Sequence, residues 1–429
     1  MKYQKFKEQL NNGGFDKVIK ELYGSSEQII SHQKKRYLEA AEKFNEYFPG
    51  HDEIQIYSAP GRTEIGGNHT DHQHGCVLAA AVNLDIIAVV AFHNEGVIRL
   101  KSVGYSQNYV DLSDLSVHNK EKGSSSALIR GIASRFHEMG VRISGFDVYT
   151  TSDVLSGSGL SSSAAFEILI GTIIDSHFNQ GKAGAVEIAK IGQYAENVYF
   201  GKKSGLMDQM VSSVGGLVSI DFHDTENPEI KSFPYDFEAS GYCLCVTDTK
   251  GSHANLTDDY VAVRSEMESI AAQFGKAFLR DVNENEFYSA IPELRKKCSD
   301  RAVMRAAHFF SENKRAVLET NALSDGNMDY FLELLRQSGE SSANLLQNLY
   351  SCSQPAQQEI PLGIMLSRKI LGKNGAVRVH GGGFAGTIQA FVPAEKVNDY
   401  SQEMNRIFGD GSCYILRIRP AGGIEITKG

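Results

Sequence analysis

The stretch Leu155-Ser156-Gly157-Ser158-Gly159-Leu160-Ser161-Ser162-Ser163-Ala164-Ala165 sits between two segments of opposite periodicity. Upstream, Phe146 and Val148 alternate with polar neighbours, which predicts a strand ending near Val154. Downstream, Ala165, Ile168, Leu169 and Ile173 share one helical face, which predicts a helix over 162–178. Strand, glycine loop and helix in that order build an anion site. Glycines let the backbone come close to an anion, and a helix start offers unpaired N–H groups and a positive dipole end. Three consecutive serines add hydroxyls, one within reach of a magnesium ion. A Ser/Gly linker ending in an N-cap is the plainer alternative. The loop lacks the GxxxxGK[ST] pattern, and serine at 162 removes the dinucleotide fingerprint.

Around this loop the chain reads as a mixed α+β protein of two lobes. Residues 1–48 are polar and helical. A strand covers 54–59, a second Leu84 to Phe92, and 221–240, with Pro228 and Pro234, reads as a crossover. A helical block follows over about 256–349, then short strands at 376–380 and 387–392. The expected divisions are 1–48, 49–225 and 226–429. At 429 residues, 41% hydrophobic and 22% charged, the composition is that of a folded globular chain. A net charge of −9 disfavours nucleic acid as a partner. The longest strongly apolar run, Ile86 to Phe92, is far below the ~20 residues of a membrane span. The start resembles no signal peptide, and the six cysteines form no CxxC pair, so a reducing cytoplasm is expected.

Two further loops carry polar chemistry. Gly381-Gly382-Gly383-Phe384-Ala385-Gly386 matches GxGxxG, but a strand follows it rather than a helix, so it reads as a tight turn between strands. Pro60-Gly61-Arg62-Thr63-Glu64-Ile65-Gly66-Gly67-Asn68-His69-Thr70-Asp71-His72-Gln73-His74-Gly75 reads as a loop between two strands. Its histidines and aspartate fit no zinc spacing. A polyol-binding turn suits them better, because Asp, Asn and His pair with adjacent hydroxyls. Phosphoryl transfer needs a carboxylate for a metal and a group for the nucleophile. Glu196 and Asp208, in Ala195–Gln209, can supply both; read alone, they are equally two surface acids.

Together these segments resemble the galactokinase family, within the kinase superfamily named for galactose, homoserine, mevalonate and phosphomevalonate. Pro60-Gly61-Arg62…His69-Thr70-Asp71 resembles the signature PGRVNLIGEHTDY. Gly157–Ala164 resembles the superfamily's phosphate loop, Ser204-Gly205-Leu206-Met207-Asp208-Gln209 resembles CGxMDQ, and Arg378–Gly386 resembles the third motif. The resemblance runs from about residue 50 to the C-terminus. It implies a ribosomal-protein-S5-like N-terminal lobe and a ferredoxin-like C-terminal lobe, with the active site in the cleft between them.

By the same resemblance, Asp208 is the catalytic base or orienter of the sugar's anomeric hydroxyl, and Arg62 holds it ionised and offsets charge on the phosphate. Gly157, Ser158, Gly159, Leu160, Ser161, Ser162 and Ser163 bind ATP, and Ser162 with Glu196 holds Mg2+. Asn68, His69, Asp71, Gly205 and Tyr260 match sugar-contacting positions; Tyr260 lies in a segment where the family shows HSLASSEY. The implied protein is a cytoplasmic galactokinase, a monomer or weak oligomer, taking ATP and D-galactose to galactose 1-phosphate. Galacturonate or another galactose-like sugar is the alternative, and a catalytically weak sugar-sensing regulator a minor one.

Several positions depart from the signature. Asn68 stands where the family has glutamate, near C6 of the sugar, so it permits galactose without excluding a uronic acid. His72 stands for the usual tyrosine, Glu64 for asparagine and Gly66 for isoleucine. Ser125 stands where some members place an aromatic near adenine.

Overall fold

The computed structural model describes residues 1–154, 159–252 and 256–428. Helices α1 (Tyr3–Asn11), α2 (Asp16–Tyr23) and α3 (Glu27–Tyr47) open the chain. Strands β1 (Gln55–Gly66), β2 (Cys76–Phe92), β3 (Val97–Ser102) and β4 (Asn108–Asp111) follow. Then come α4 (Ser125–Glu138), β5 (Phe146–Ser152), α5 (Ser162–Phe178), α6 (Gly184–Tyr194) and α7 (Met207–Val214), and the hairpin β6 (Leu217–Asp221) and β7 (Glu229–Phe233). After β8 (Tyr242–Asp248) come α8 (Thr257–Gln273), α9 (Glu284–Lys297), α10 (Asp300–Ser324), α11 (Met328–Ser341) and α12 (Glu359–Leu371). The chain ends through β9 (Ala376–Val379), β10 (Thr387–Pro393), α13 (Val397–Phe408), β11 (Cys413–Leu416) and β12 (Ile424–Glu425).

The strands form two sheets. The first has the order β12-β1-β2-β5-β3-β4, with β6 paired to the start of β2 and β7 to β6. Among the described residues its one parallel pair is β3 with β5. The second sheet, β11-β8-β10-β9, is antiparallel throughout. Its β-α-β-β-α-β sequence is that of a ferredoxin-like unit, with five helices, α8–α12, in the first crossover. The expected mixed α+β class is the one observed.

Alternation explains the uninterrupted apolar run of β2. Ile86, Ala88 and Val90 face the core shared with α5, while Ile87, Val89 and Ala91 face a second core built with α1–α3. A strand buried on both faces has no polar face to show. The N-terminal helices therefore cover the outer face of the first sheet.

Three expectations change. The segment 60–66 is strand, because β1 admits Pro60 and Gly66 at two register shifts, between Pro60 and Arg62 and between Glu64 and Gly66. β2 begins at Cys76 rather than Leu84; Asp85 looks like a break in sequence but is fully buried among partners. The polar segment 221–240 contains β7, which pairs with β6 in the first sheet. The turn at 381–386 does join two antiparallel strands.

Candidate active site

Arg62 projects from β1 between the two bulges, and Asp208 from the first turn of α7. The guanidinium meets the carboxylate with both prongs, Nε to Oδ1 and Nη2 to Oδ2, each at 2.7 Å. This planar fork is a geometry arginine makes and lysine does not. Arg62 Nη1 also donates to the Gly159 carbonyl at 2.5 Å, and its backbone N–H to the Leu160 carbonyl at 3.0 Å. Arg62 thereby ties the end of the phosphate loop to Asp208. Ser161, left-handed at φ 57°, starts α5 and donates its hydroxyl to Asp208 Oδ2. Burial opposes ionisation of Asp208, but the Arg62 charge and the hydrogen bonds from Arg62 and Ser161 outweigh it and hold the carboxyl below its usual range.

These groups line a cavity of about 460 Å³ together with Ser162, Ser163, Lys202, Tyr260 and the 380–383 turn. Ser162 and Ser163 also border a second cavity of about 660 Å³, walled by Ile86, Val103, Leu128, Phe166 and Phe200. Ser125 lies on that wall, its hydroxyl accepting from Asn108 Nδ2 at 2.7 Å. Of the expected loop residues, Gly157 and Ser158 lie outside the described residues. Gly159, Ser161, Ser162 and Ser163 face the first cavity, whereas the Leu160 side chain is packed in the core.

Glu196 is buried in a single π-turn, Ala195–Phe200. Its carboxylate accepts from Lys202 at 2.9 Å, Ser204 at 2.5 Å and Gln209 at 3.0 Å. The loop hydroxyl on it is that of Ser163, at 3.5 Å, rather than Ser162. Gln209 also donates to Glu167 at 2.9 Å. Burial and the nearby Glu196 carboxylate push the Glu167 carboxyl well above its usual range. Sequence reasoning passed over Lys202 and Glu167, although Lys202 lies within the motif-bearing stretch.

Asp71 lies so close to Gly205 that a Cβ there would overlap its Oδ2. Burial raises the Asp71 pKa and the His69 charge lowers it, while Asp208 and Glu64 add to the rise, so the net shift is upward. His69 contacts the Gly382 carbonyl at 3.0 Å and His72 at 3.3 Å. Tyr260 donates to the Gly383 carbonyl at 2.9 Å, and its ring lies against Gly382, where any side chain would collide. His69 and Tyr260 thus meet at the 382–383 turn and Asp71 meets Gly205; of the four, Tyr260 lines the cavity.

Asn68 is placed differently. It is fully buried, and its amide donates to Glu64 Oε1 at 3.0 Å and to the Gly381 carbonyl at 2.8 Å. Its oxygen accepts from Asn348 at 3.0 Å and Ser342 at 3.3 Å. Both donors and both acceptor sites are occupied, so Asn68 has no polar group left for a ligand. Glu64 in turn accepts from Arg378 at 3.0 Å. His74 stacks on Phe278, and among the described residues no group of three His, Cys, Asp or Glu side chains is arranged to hold a metal ion.

A phosphate loop opening a helix, facing an arginine-clamped aspartate beside a ferredoxin-like unit, defines a small-molecule kinase. Residues 127–216 match the GHMP kinases N terminal domain, and residues 42–92 match the galactokinase galactose-binding signature. The galactokinase of Actinobacillus pleuropneumoniae serotype 5b (strain L20) is 33% identical over 373 residues, 86% of this chain and 92% of that protein. That of Glaesserella parasuis serovar 5 (strain SH0165) is 33% identical over 360 residues, 83% of this chain and 89% of that one. The chain belongs to the galactokinase family. In fold it is similar to Lactococcus lactis galactokinase complexed with galactose, with a TM-score of 0.78 at 22% identity, covering 90% of this chain and 98% of that one. It is also similar to Methanococcus jannaschii mevalonate kinase, with a TM-score of 0.62 at 15% identity over 85% and 98% of the two chains. No helix among the described residues is long and apolar enough to cross a membrane.

Proposed function

We propose that this protein transfers the terminal phosphate of ATP to the anomeric hydroxyl of D-galactose, giving galactose 1-phosphate and ADP. The observation that carries this reading is Asp208, gripped by both prongs of Arg62 and by Ser161 at the mouth of a serine-lined cavity, in a chain of the galactokinase family. The phosphates lie against Gly159 and Ser161–Ser163 at the positive end of α5. The nucleoside takes the adjoining apolar cavity, where Asn108 and Ser125 supply the polar edge. The sugar sits between Asp208 and the group His69, Asp71, Gly205 and Tyr260. Asn68 supports that turn from behind.

Asp208 is the acceptor that aims the anomeric hydroxyl at the γ-phosphorus. A carboxylate held below its usual range is a weaker base than a free one, so its main work is orientation, and the proton reaches it late, as the P–O bond forms. Arg62 keeps Asp208 ionised and faces the charge on the transferring phosphoryl group. The donors suit magnesium, which takes one or two carboxylates and fills its remaining positions with phosphate oxygens and water. Glu196 with a hydroxyl of Ser162 or Ser163 would hold it, and bound there it would neutralise the β- and γ-phosphates. Lys202 is 60% exposed, so it can release Glu196 and turn to a phosphate.

A neutral sugar fits this cleft better than a uronic acid. Asp71 and Asp208 already crowd the sugar side, and the lysine and arginine lining the cavity, Lys202 and Arg62, are paired with Glu196 and Asp208. The same reading makes the protein a cytoplasmic monomer or weak oligomer of two lobes behind a helical extension, 1–48. An ADP-release screen over galactose, galacturonate, arabinose, N-acetylgalactosamine and mevalonate tests it. Galactose is expected to give the highest kcat/KM. Robust turnover of galacturonate with none of galactose would overturn the substrate assignment.

A further inference from the structure

Arg36 lies in the middle of α3 and is only 7% exposed. Its Nη1 pairs with Asp85 at 2.6 Å and with Asp153 at 3.0 Å. Its Nη2 donates to the Asp85 carbonyl at 2.9 Å and reaches the Thr151 carbonyl at 3.5 Å. Thr151 belongs to the end of β5, and Asp153 follows it, two residues before the phosphate loop begins. The Asp153 backbone N–H donates to the same Asp85 carbonyl at 2.9 Å. Asp85 accepts in addition from Tyr23 at 2.5 Å and Arg419 at 2.9 Å, so its own position is fixed from α2 and from the C-terminal tail. The entry to the loop therefore hangs from a buried charge cluster whose bridging member comes from the N-terminal helices. At the loop's other end, the Arg62 N–H and guanidinium hold Leu160 and Gly159.

We propose that Arg36 is a positioning residue for ATP: through Asp153 it sets where β5 releases the phosphate loop, so that the N-terminal helical segment contributes to nucleotide affinity without touching nucleotide. This rests on the kinase reading above. Lysine cannot reproduce the fork, because a point charge cannot hold two carboxylates and two carbonyls in one plane. Asp153 is 31% exposed on its side chain and lies at the rim of the cluster, so it can be changed while the Asp85 hub stays intact.

The test compares Asp153→Ala, Asp153→Asn, Arg36→Lys and Tyr37→Phe in the full-length protein. Tyr37→Phe removes a buried hydroxyl on Tyr23, 2.6 Å away, and leaves Asp153 alone. ATP affinity is measured directly by calorimetry, KM for ATP and sugar and kcat by ADP release, and folding by thermal melts. Asp153→Ala and Arg36→Lys are expected to weaken ATP about 10-fold through loss or distortion of the Arg36–Asp153 ion pair, with kcat and the sugar KM within about twofold. Asp153→Asn, which keeps the shape and a polar oxygen beside Arg36 but not the charge, is expected to recover part of the loss. Tyr37→Phe should lower the melting temperature and leave ATP affinity unchanged. Native ATP affinity in folded Asp153→Ala overturns the proposal, as does an equal loss in Tyr37→Phe. Failure of the unaltered chain to bind ATP would instead sink the kinase reading on which the proposal stands.

Discussion

Two polar pairs start two residues apart on β1, at Arg62 and at Glu64, and they are built to opposite ends. Arg62 and Asp208 form a charged pair that opens on the cavity, with Ser161 completing it. Glu64 and Asn68 form a pair sealed from solvent, with Arg378, Asn348 and Ser342 completing it. The first pair keeps an oxygen at a cavity wall where a substrate hydroxyl can approach. The second has spent its hydrogen-bonding capacity inside the protein. A motif match makes the two sets of residues look equally functional, but burial separates them.

The largest effect is expected at the open pair. Asp208→Ala should lower kcat by about 10³–10⁴-fold, the upper part of the range for a lost general base, while the protein stays folded with a modest fall in melting temperature, since the uncovered Arg62 faces the cavity. Near-native kcat with galactose in that variant would show that the open pair has no more catalytic weight than the sealed one.

The sealed pair should answer in stability instead. The family signature carries asparagine at the Glu64 position and glutamate at the Asn68 position, so this chain has the acid and the amide exchanged. Asn68→Glu alone would set a second buried carboxylate beside Glu64, and Glu64→Asn alone would strip Arg378 of its carboxylate. Each is expected to destabilise by about 3–5 kcal/mol in urea melts. The double exchange restores one acid and one amide and should recover about 2–3 kcal/mol of that cost. Strict additivity of the two changes would mean that the pair is not coupled.

A smaller change sharpens the open side. Ser161→Ala removes one of the three hydrogen bonds that hold Asp208 and leaves the bidentate fork. A hydrogen bond to a charged group is worth about 1.5–3 kcal/mol, so kcat should fall by about 10- to 100-fold, well short of Asp208→Ala. A loss as large as that of Asp208→Ala would move Ser161 from support to chemistry.

The same contrast marks what was legible in the sequence. The helix Ser162–Phe178 was, because a long apolar stretch follows a serine- and glycine-rich start, although that stretch is buried nearly all round rather than on one face. Asp208, Arg62 and Glu196 were legible as motif positions through the family resemblance; read alone, the two acids look like surface acids. Residues 60–66 were not, since Pro60-Gly61 signals a turn, and only the partner strand reveals the bulges that keep it in the sheet. Asp85 was not, because its partners Arg36 and Arg419 are 49 and 334 positions away. A buried charge with distant partners looks like a surface charge in a single sequence. Asn68 was legible as a motif position and illegible as a sealed one for the same reason: Asn348 and Ser342 stand 280 and 274 residues downstream.

Gly66 extends the contrast into the core behind the sealed pair. Where the signature has isoleucine, a Cβ would overlap the Glu319 carboxylate, so loss of that side chain and arrival of an acid on α10 fill the same space. Glu319 is fully buried, and neither of its oxygens accepts a hydrogen bond among the described residues. Burial, reinforced by the nearby Glu312 charge and only partly opposed by Arg378 and Arg315, raises its pKa well above 4.5. A raised carboxyl pKa stabilises the fold fully below the unfolded value. That contribution is lost as pH rises from about 4.5 through the folded value, because the unfolded chain releases the proton first. Glutamine at 319 has nearly the same shape and does not titrate. Glu319→Gln should therefore differ little from the native chain at pH 4.5 and gain on it as pH rises, by up to about 1.4 kcal/mol per pH unit until the native carboxyl ionises. Because the other titrating groups are common to both proteins, the difference between their melts isolates this one. A difference that stays flat from pH 4.5 to 8 would mean that Glu319 is ionised in the fold and that Arg378, not burial, governs it.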